Sequence, residues 1–309
     1  MGLDLTVFHV GGRGGAGIAP RILFLFKNRP VEKTLYIFEA DLGNIKDKEK
    51  DEYYINKMKN KYNVNAKVLQ YCMSDHVGDG KFYLHSDRRA SSLFPVEPRA
   101  KTYSFSSVPL PHTWGDHCKV DEIINVETTT FDELCKNGID KKPDFLSMDA
   151  QGAEYSILQG SQIFLNGDLL GVTTETEFRE IYQGQPLFAD QDQLLRSHGF
   201  IFINFFSTQE WFLGQQVGGK FFTVGEVLYF RDYMYFVNKY ESNLDILFPV
   251  LFKLAVSAKA LGYLSYLCLI IDYIEQRWSD KYKEYVKLDD PVIQEVYNSY
   301  LKQSQRNRK

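Results

Sequence analysis

Residues 144–154 have the sequence DFLSMDAQGAE, in which a short apolar strand is followed by an acid, a glycine turn and the start of a helix. Asp149 ends the strand. Glu154 falls in the first helical turn, where the helix dipole favours an acidic side chain. Because ligands of open α/β sheets bind outside the carboxyl ends of the strands, this segment predicts a site at Asp149.

On both sides of this segment, apolar runs alternate with helical patterns, which predicts an α/β protein with helices on both faces of a mostly parallel sheet. The predicted strands are Thr6–Val10, Thr34–Glu39, Ala66–Cys72, Phe145–Asp149, Gly171–Thr176, Gly199–Phe205 and Glu226–Phe230. The predicted helices are Asp47–Lys61, Phe131–Asn137, Ala153–Phe164 and Asp190–His198. No long helix separates the last two strands. We therefore expect a seven-stranded sheet that closes with an antiparallel strand.

Two segments do not show this alternation of apolar runs and helical patterns. Residues 74–126 are polar and aromatic and contain four prolines, so we expect a long irregular insert that could serve as a lid. From about Asp232 the sequence is rich in Tyr, Leu and Lys and has helical periodicity. The predicted domains are therefore residues 1–232 and a helical C-terminal extension, residues 233–309. The extension could pack on the first domain, form a homodimer or dock to a glycan-assembly partner.

Bulk properties narrow the class of protein. The net charge is -4, with 36 basic and 40 acidic residues, which argues against a general nucleic-acid binder. The four cysteines form no CxxC pair, and no basic segment followed by an apolar run opens the chain. The apolar stretch Ile246–Ile274 contains Pro249 and charged residues, so it favours a buried or amphipathic helix pair over a membrane span. We expect a cytoplasmic protein with free thiols.

A glycine-rich turn follows the first strand. Gly12, Gly14 and Gly17 match the pattern GxGxxG, whose backbone amides can approach a phosphate or a similar group closely. Glu39 ends the second strand, about where a ribose-binding carboxylate belongs. These residues predict an adenosine-type ligand, and on this evidence NAD and S-adenosylmethionine both stay open.

Several blocks, in the same order along residues 5–232, resemble the FkbM-type S-adenosylmethionine-dependent methyltransferases. The main blocks are Val10–Gly15, Phe38–Asp41, Thr129–Leu134 and Met148–Glu154 followed by Ile157–Gly160. The resemblance implies a Rossmann-like class I methyltransferase fold and methyl transfer to a hydroxyl of a sugar, glycan or secondary metabolite. The cofactor-binding residues expected on both grounds are Gly11, Gly12, Arg13, Gly14, Gly15, Glu39, Ala40, Ser74, Asp75, Asp149 and Gln151.

The cofactor loop differs from the family pattern at two places. His9 stands where the family usually has Asp, and Gly12-Arg13 stands where it usually has Ala-Asn. A carboxylate lost near the cofactor could weaken its binding. A non-catalytic binding protein with a methyltransferase-like fold is therefore one alternative, and a nicotinamide-dependent oxidoreductase is another.

Three carboxylates are the expected catalytic groups. Asp149 ends the fourth predicted strand, and Glu175 and Glu177 lie on one face at the end of the fifth. Methyl transfer to a hydroxyl needs help with deprotonation, so we expect a carboxylate to act as general base or as ligand of a metal such as Mg²⁺. The same cluster could bind a sugar through its hydroxyls.

Overall fold

The computed structural model describes residues 4–11, 23, 31–40, 45–105, 113–139, 141–214, 216–288 and 290–307. Their strands are β1 (Asp4–Val10), β2 (Glu32–Glu39), β3 (Asn65–Gln70), β4 (Cys72–Met73), β5 (Gly78–His85), β6 (Ser104–Phe105), β7 (Val120–Thr129), β8 (Phe145–Met148), β9 (Gly171–Glu177), β10 (Phe200–Phe212) and β11 (Phe221–Arg231). Their α-helices are α1 (Ile45–Tyr62), α2 (Trp114–His117), α3 (Phe131–Lys136), α4 (Glu154–Gln159), α5 (Gln162–Leu165), α6 (Phe188–Ser197), α7 (Tyr233–Tyr240), α8 (Leu244–Ala260), α9 (Leu264–Arg277), α10 (Ser279–Tyr285) and α11 (Pro291–Asn307).

The main sheet of the described residues has the strand order β3-β2-β1-β8-β9-β11-β10-β6. The first five strands of this order are parallel, whereas β11 runs antiparallel to both β9 and β10. The expected α/β fold with a large, mostly parallel sheet is therefore confirmed. The sheet has eight strands rather than the expected seven, because β6 from the insert pairs with the far end of β10.

Both faces of this sheet are covered, which explains why its central strands are apolar runs without alternation. In β1, every residue after Asp4 is buried. Phe8, Phe38 and Leu146 face one side, where they share a core with α3, α4, α5 and α6. Val7 and Leu35 face the other side, where they share a core with the C-terminal helices.

The segment expected as one helix, Ala153–Phe164, forms two short helices, α4 and α5. The break falls at Gly160, where a β-carbon would overlap the carbonyl oxygen of Ser74. The glycine thus allows the chain that follows β4 to pass close to the end of α4. This contact depends on residues far apart in sequence, so helical periodicity alone did not predict it.

The expectation of an irregular insert at residues 74–126 is wrong for the two ends of this segment, which form strands. β5 and β7, at the two ends of the insert, form an antiparallel pair in a second sheet with strand order β4-β7-β5, while residues 86–103 between them form no long strand or helix. Phe82, Leu84 and Val126 form a small core under this sheet, while the opposite side of the pair is largely exposed. Charged residues on the exposed side conceal the strand pattern in the sequence.

The C-terminal helices α7–α11 pack on the main sheet. Phe230 of β11 stacks on Tyr266 of α9 with ring centroids 5.6 Å apart, and the Tyr266 hydroxyl donates to the carbonyl oxygen of Arg231 over 2.8 Å. Lys253 of α8 forms an ion pair with Asp144, just before β8, over 2.6 Å. In the part of the chain that the structure describes, no helix is long and apolar enough to cross a membrane.

Candidate functional site

The carboxyl ends of three strands meet at Gly11. Its amide donates to the carbonyl oxygen of Phe38 at the end of β2 over 2.9 Å, and the amide of Asp149 donates to Val10 over 3.0 Å. Gly11 has a φ of +83°, and a β-carbon there would overlap the carbonyl oxygen of Asp149. Only glycine meets both requirements, so the turn after β1 lies directly against the segment after β8.

The turn between β8 and α4 is held in an unusual conformation. Gln151 has a φ of +54° and Gly152 a φ of +93°. The buried Glu154 carboxylate accepts hydrogen bonds from the amides of Ala150 over 2.6 Å and of Gly152 over 2.9 Å. Burial raises the pKa of Glu154 to about 7. Glu154 thus fixes the shape of the turn. In this shape, the side chain of Gln151 points toward β9.

Gln151 joins the two acids expected to be catalytic. Its side-chain nitrogen Nε2 donates to Asp149 Oδ1 over 2.7 Å and to Glu175 Oε2 over 3.0 Å. All three side chains are partly exposed. They lie at the carboxyl ends of β8 and β9, which are neighbours in the sheet. A partly open pair of carboxylates at this edge can bind a ligand hydroxyl and accept its proton.

Glu177 lies deeper than Glu175. It is fully buried, and neither of its carboxylate oxygens makes a hydrogen bond with a described residue. Burial raises the pKa of Glu177 well above its usual range, and nearby Glu154 and Asp149 raise it further, while the Gln185 side chain opposes them. Burial and the charges of Asp149 and Glu177 likewise raise the pKa of Glu175. A proton is therefore retained easily in this cluster near neutral pH.

The insert and the loop after β9 cover Gln151. The Ser92 hydroxyl donates to the backbone oxygen of Gln151 over 2.6 Å. The Tyr182 hydroxyl lies 3.0 Å from Gln151 Oε1 and 2.7 Å from the carbonyl oxygen of Ala90. Tyr182 was not among the expected site residues. The only indication of a role in the sequence is its position in the loop that follows a strand with two acids.

The residues expected to hold the adenosine part lie at the same sheet edge. Glu39 is buried at the end of β2, and Ala40 packs beside the small core under the second sheet. Ser74 is buried after β4, and its hydroxyl donates to Asp75 over 3.1 Å. The expected residues Gly12, Arg13, Gly14 and Gly15 lie outside the described residues.

His9 is buried in β1 next to this edge. Its Nδ1 lies 3.0 Å from the Ser147 hydroxyl, and its Nε2 makes no hydrogen bond within the described part of the chain. Burial lowers the pKa of His9, although the nearby Asp149 opposes this. A neutral histidine at this position can offer Nε2 to a ligand as a donor or an acceptor.

Among the described residues, no group of three or more His, Cys, Asp or Glu side chains has an arrangement that could hold a metal ion. The Mg²⁺ considered from the sequence is therefore not supported. The amide of Gln151 explains why, because it occupies the space between Asp149 and Glu175 and satisfies one oxygen of each.

Comparisons with known proteins identify the family of the chain. The family model described as Methyltransferase FkbM domain matches residues 14–202, which is more than half of the chain. Among solved structures, the crystal structure of methyltransferase FkbM from Methylobacillus flagellatus KT is similar, with 12% sequence identity and a TM-score of 0.40. That match covers 74% of this chain but only 44% of the other. No curated protein matches the chain.

Proposed function

The chain belongs to the FkbM methyltransferase family, and we propose that it transfers a methyl group from S-adenosylmethionine to a hydroxyl oxygen of a sugar, a glycan or a secondary metabolite. One observation carries the proposal. Asp149 and Glu175 are partly exposed, lie at neighbouring strand ends and are joined by the amide of Gln151. Carboxylates placed in this way can orient a hydroxyl and remove its proton, which an O-methyltransferase requires.

The residues around Gly11 fit the cofactor. Gly11 lets the turn after β1 lie against the backbone of Asp149, and Glu39 offers a buried carboxylate to the two ribose hydroxyls. The buried Nε2 of His9 is a further polar group at this edge. Asp149 and the backbone at Gln151 would lie by the methionine part. When bound, S-adenosylmethionine supplies an electrophilic methyl group.

The roles of the acids follow from their burial and charge. Glu175 is the proposed general base: its carboxylate takes the proton as the O–H bond of the acceptor breaks. Its raised pKa makes the carboxylate a stronger base toward the acceptor hydroxyl. Asp149 orients the acceptor. Glu177 is buried, so its proposed contribution is to raise the proton affinity of Glu175.

Two measurements test the proposal. Calorimetric titration should show micromolar binding of S-adenosylhomocysteine and no binding of NADH. A screen with labelled methyl groups against nucleotide sugars and glycans should then identify an acceptor. Asp149→Asn and Glu175→Gln should each lower turnover by about 100-fold and change the affinity for S-adenosylhomocysteine little.

The matched control is Asp192→Asn. Asp192 is an acid of α6, which packs on the face of the sheet that α3, α4 and α5 also cover. This variant should leave turnover unchanged. Binding of NADH alone would favour an oxidoreductase. Absence of any cofactor binding would favour the non-catalytic alternative raised by His9. Full activity in both the Asp149 and Glu175 variants would exclude the roles given to these acids.

A further inference from the structure

The orientation of the Gln151 amide determines what Asp149 and Glu175 can do. A side-chain amide has two hydrogens on Nε2 and none on Oε1. In the structure both hydrogens point to the carboxylates, over 2.7 Å to Asp149 and 3.0 Å to Glu175. Rotation of the amide by half a turn would place Oε1 against the same carboxylate oxygens, which would repel it. The carboxylates therefore favour the observed orientation, and a donor on the other side of the amide would reinforce it.

The group on the other side is the hydroxyl of Tyr182, which is fully buried. It has one proton and two neighbouring acceptors, Gln151 Oε1 at 3.0 Å and the carbonyl oxygen of Ala90 at 2.7 Å. If the proton went to Ala90, the tyrosine oxygen would face Gln151 Oε1 without a hydrogen between them. The observed amide orientation therefore requires the proton of Tyr182 on the Gln151 side.

His85 makes this assignment possible. Its Nδ1 lies 2.6 Å from the carbonyl oxygen of Ala90, which can only accept, so Nδ1 carries the hydrogen. Burial lowers the pKa of His85, so the ring is neutral near pH 7 and has a single N–H. The carbonyl oxygen of Ala90 thus already accepts from His85, so donation of the Tyr182 proton to Gln151 leaves neither acceptor without a donor.

We propose that Tyr182 is a positioning residue for methyl transfer: it holds the Gln151 amide so that both N–H groups face Asp149 and Glu175. The inference rests on the proposed function of these acids. Without the tyrosine hydroxyl, Gln151 Oε1 loses its donor, the amide is held less firmly, and its hydrogen bond to the ionised form of Glu175 weakens. Loss of such a bond raises the pKa of a carboxyl group.

The first test is the variant Tyr182→Phe, which removes one oxygen and keeps the ring. We expect kcat to fall by about 10-fold with the acceptor KM and the affinity for S-adenosylhomocysteine changed less than about twofold. The acidic limb of the kcat/KM profile should move to higher pH by about one unit. The titratable groups that face Glu175 in the described residues are Asp149, Glu154, Glu177, Glu226 and Tyr182. All but Tyr182 are unchanged in the variant.

The matched control is Tyr229→Phe. Tyr229 is also buried, and its hydroxyl donates to Asp192 over 3.0 Å. This variant should lose thermal stability like Tyr182→Phe and keep the wild-type kcat and pH profile. Equal effects of the two variants on kcat and on the profile would overturn the proposal, because they would reveal a general loss of packing.

A second readout does not depend on activity. Carboxyl ¹³C NMR of the protein, with Glu175→Gln to assign the signal, gives the pKa of Glu175 directly. Tyr182→Phe should raise that pKa, and Tyr229→Phe should not. An unchanged pKa in Tyr182→Phe would overturn the positioning role even in a protein that transfers methyl groups. A raised pKa in a protein without methyl transfer would support the positioning role and disprove only the proposed function.

Discussion

Lys253 of α8 lies 2.6 Å from Asp144, the residue that precedes β8, and the Asp144 carboxylate also accepts the amide of Thr6 at 2.7 Å. The ion pair connects the C-terminal helices to the strand whose other end carries Asp149. Both side chains are largely buried, at 17% and 16% exposure. Burial raises the pKa of Asp144, and Lys253 opposes this rise. Lys253 therefore favours the ionised form of the Asp144 carboxyl group.

Replacement of one partner should destabilise the protein. We expect Lys253→Met to lower the free energy of unfolding by about 3 kcal/mol, because it leaves a buried carboxylate without its cation. Urea unfolding followed by circular dichroism measures this. The double variant Lys253→Met with Asp144→Asn should recover part of the loss. Lys283→Met, at an exposed pair with Asp280, should leave the unfolding midpoint unchanged. Equal midpoints for Lys253→Met and the wild type would contradict the prediction.

The turn at Gly11 should not tolerate a side chain. Gly11→Ala forces both a positive φ and an overlap with Asp149, whereas Gly138→Ala, at a φ of +87° with open space around it, forces only the first. We expect Gly138→Ala to cost about 1 kcal/mol of unfolding free energy and Gly11→Ala at least twice as much. Gly11→Ala should also weaken S-adenosylhomocysteine binding by more than about 10-fold. Similar stability and binding in the two variants would show that the close approach is unimportant.

The stability of the unliganded protein should depend on pH through Glu177. Its folded pKa lies well above the unfolded value of about 4.3, so the folded state binds its proton more tightly and loses stability as the pH rises above that value. Glu177→Gln removes this loss. We expect its melting temperature to equal that of the wild type near pH 4 and to exceed it at pH 8. The exposed Glu127→Gln should show no such divergence. A melting temperature below that of the wild type at pH 8 would mean that ionised Glu177 is stabilised by its surroundings.

The C-terminal helices should be required for folding of the main sheet. Removal of residues after 232 would expose Leu228, Phe230 and other apolar side chains of the shared core. We expect the shortened chain to be insoluble or aggregated, as judged by light scattering after expression. A soluble shortened monomer beside a dimeric full-length protein would instead support dimerisation as the role of the extension.

The sequence predicted the parts of the fold that depend on local pattern. The strand before Asp149 and the turn at Gln151–Gly152 could be predicted because apolar runs, acids and glycines follow one another within a few residues. The second sheet was missed because β7 has few buried positions and many charged ones, so pairing with β5 rather than burial holds it in place. Contacts such as Ser92 to Gln151 and Tyr182 to Ala90 join loops far apart in sequence. Hydrophobic periodicity in the sequence does not predict such contacts.

The second sheet takes all three of its strands from residues 72–129, one contiguous piece of the chain. The strand ends that carry Asp149 and Glu175 come from later in the sequence, yet residues of this piece lie over them. Insertions, deletions and point changes between residues 74 and 126 can therefore alter the residues that cover the site during evolution. The strand ends that carry Asp149 and Glu175 stay the same. Sequence divergence confined to residues 72–129 would identify relatives that share the chemistry and differ in the substrate that they accept.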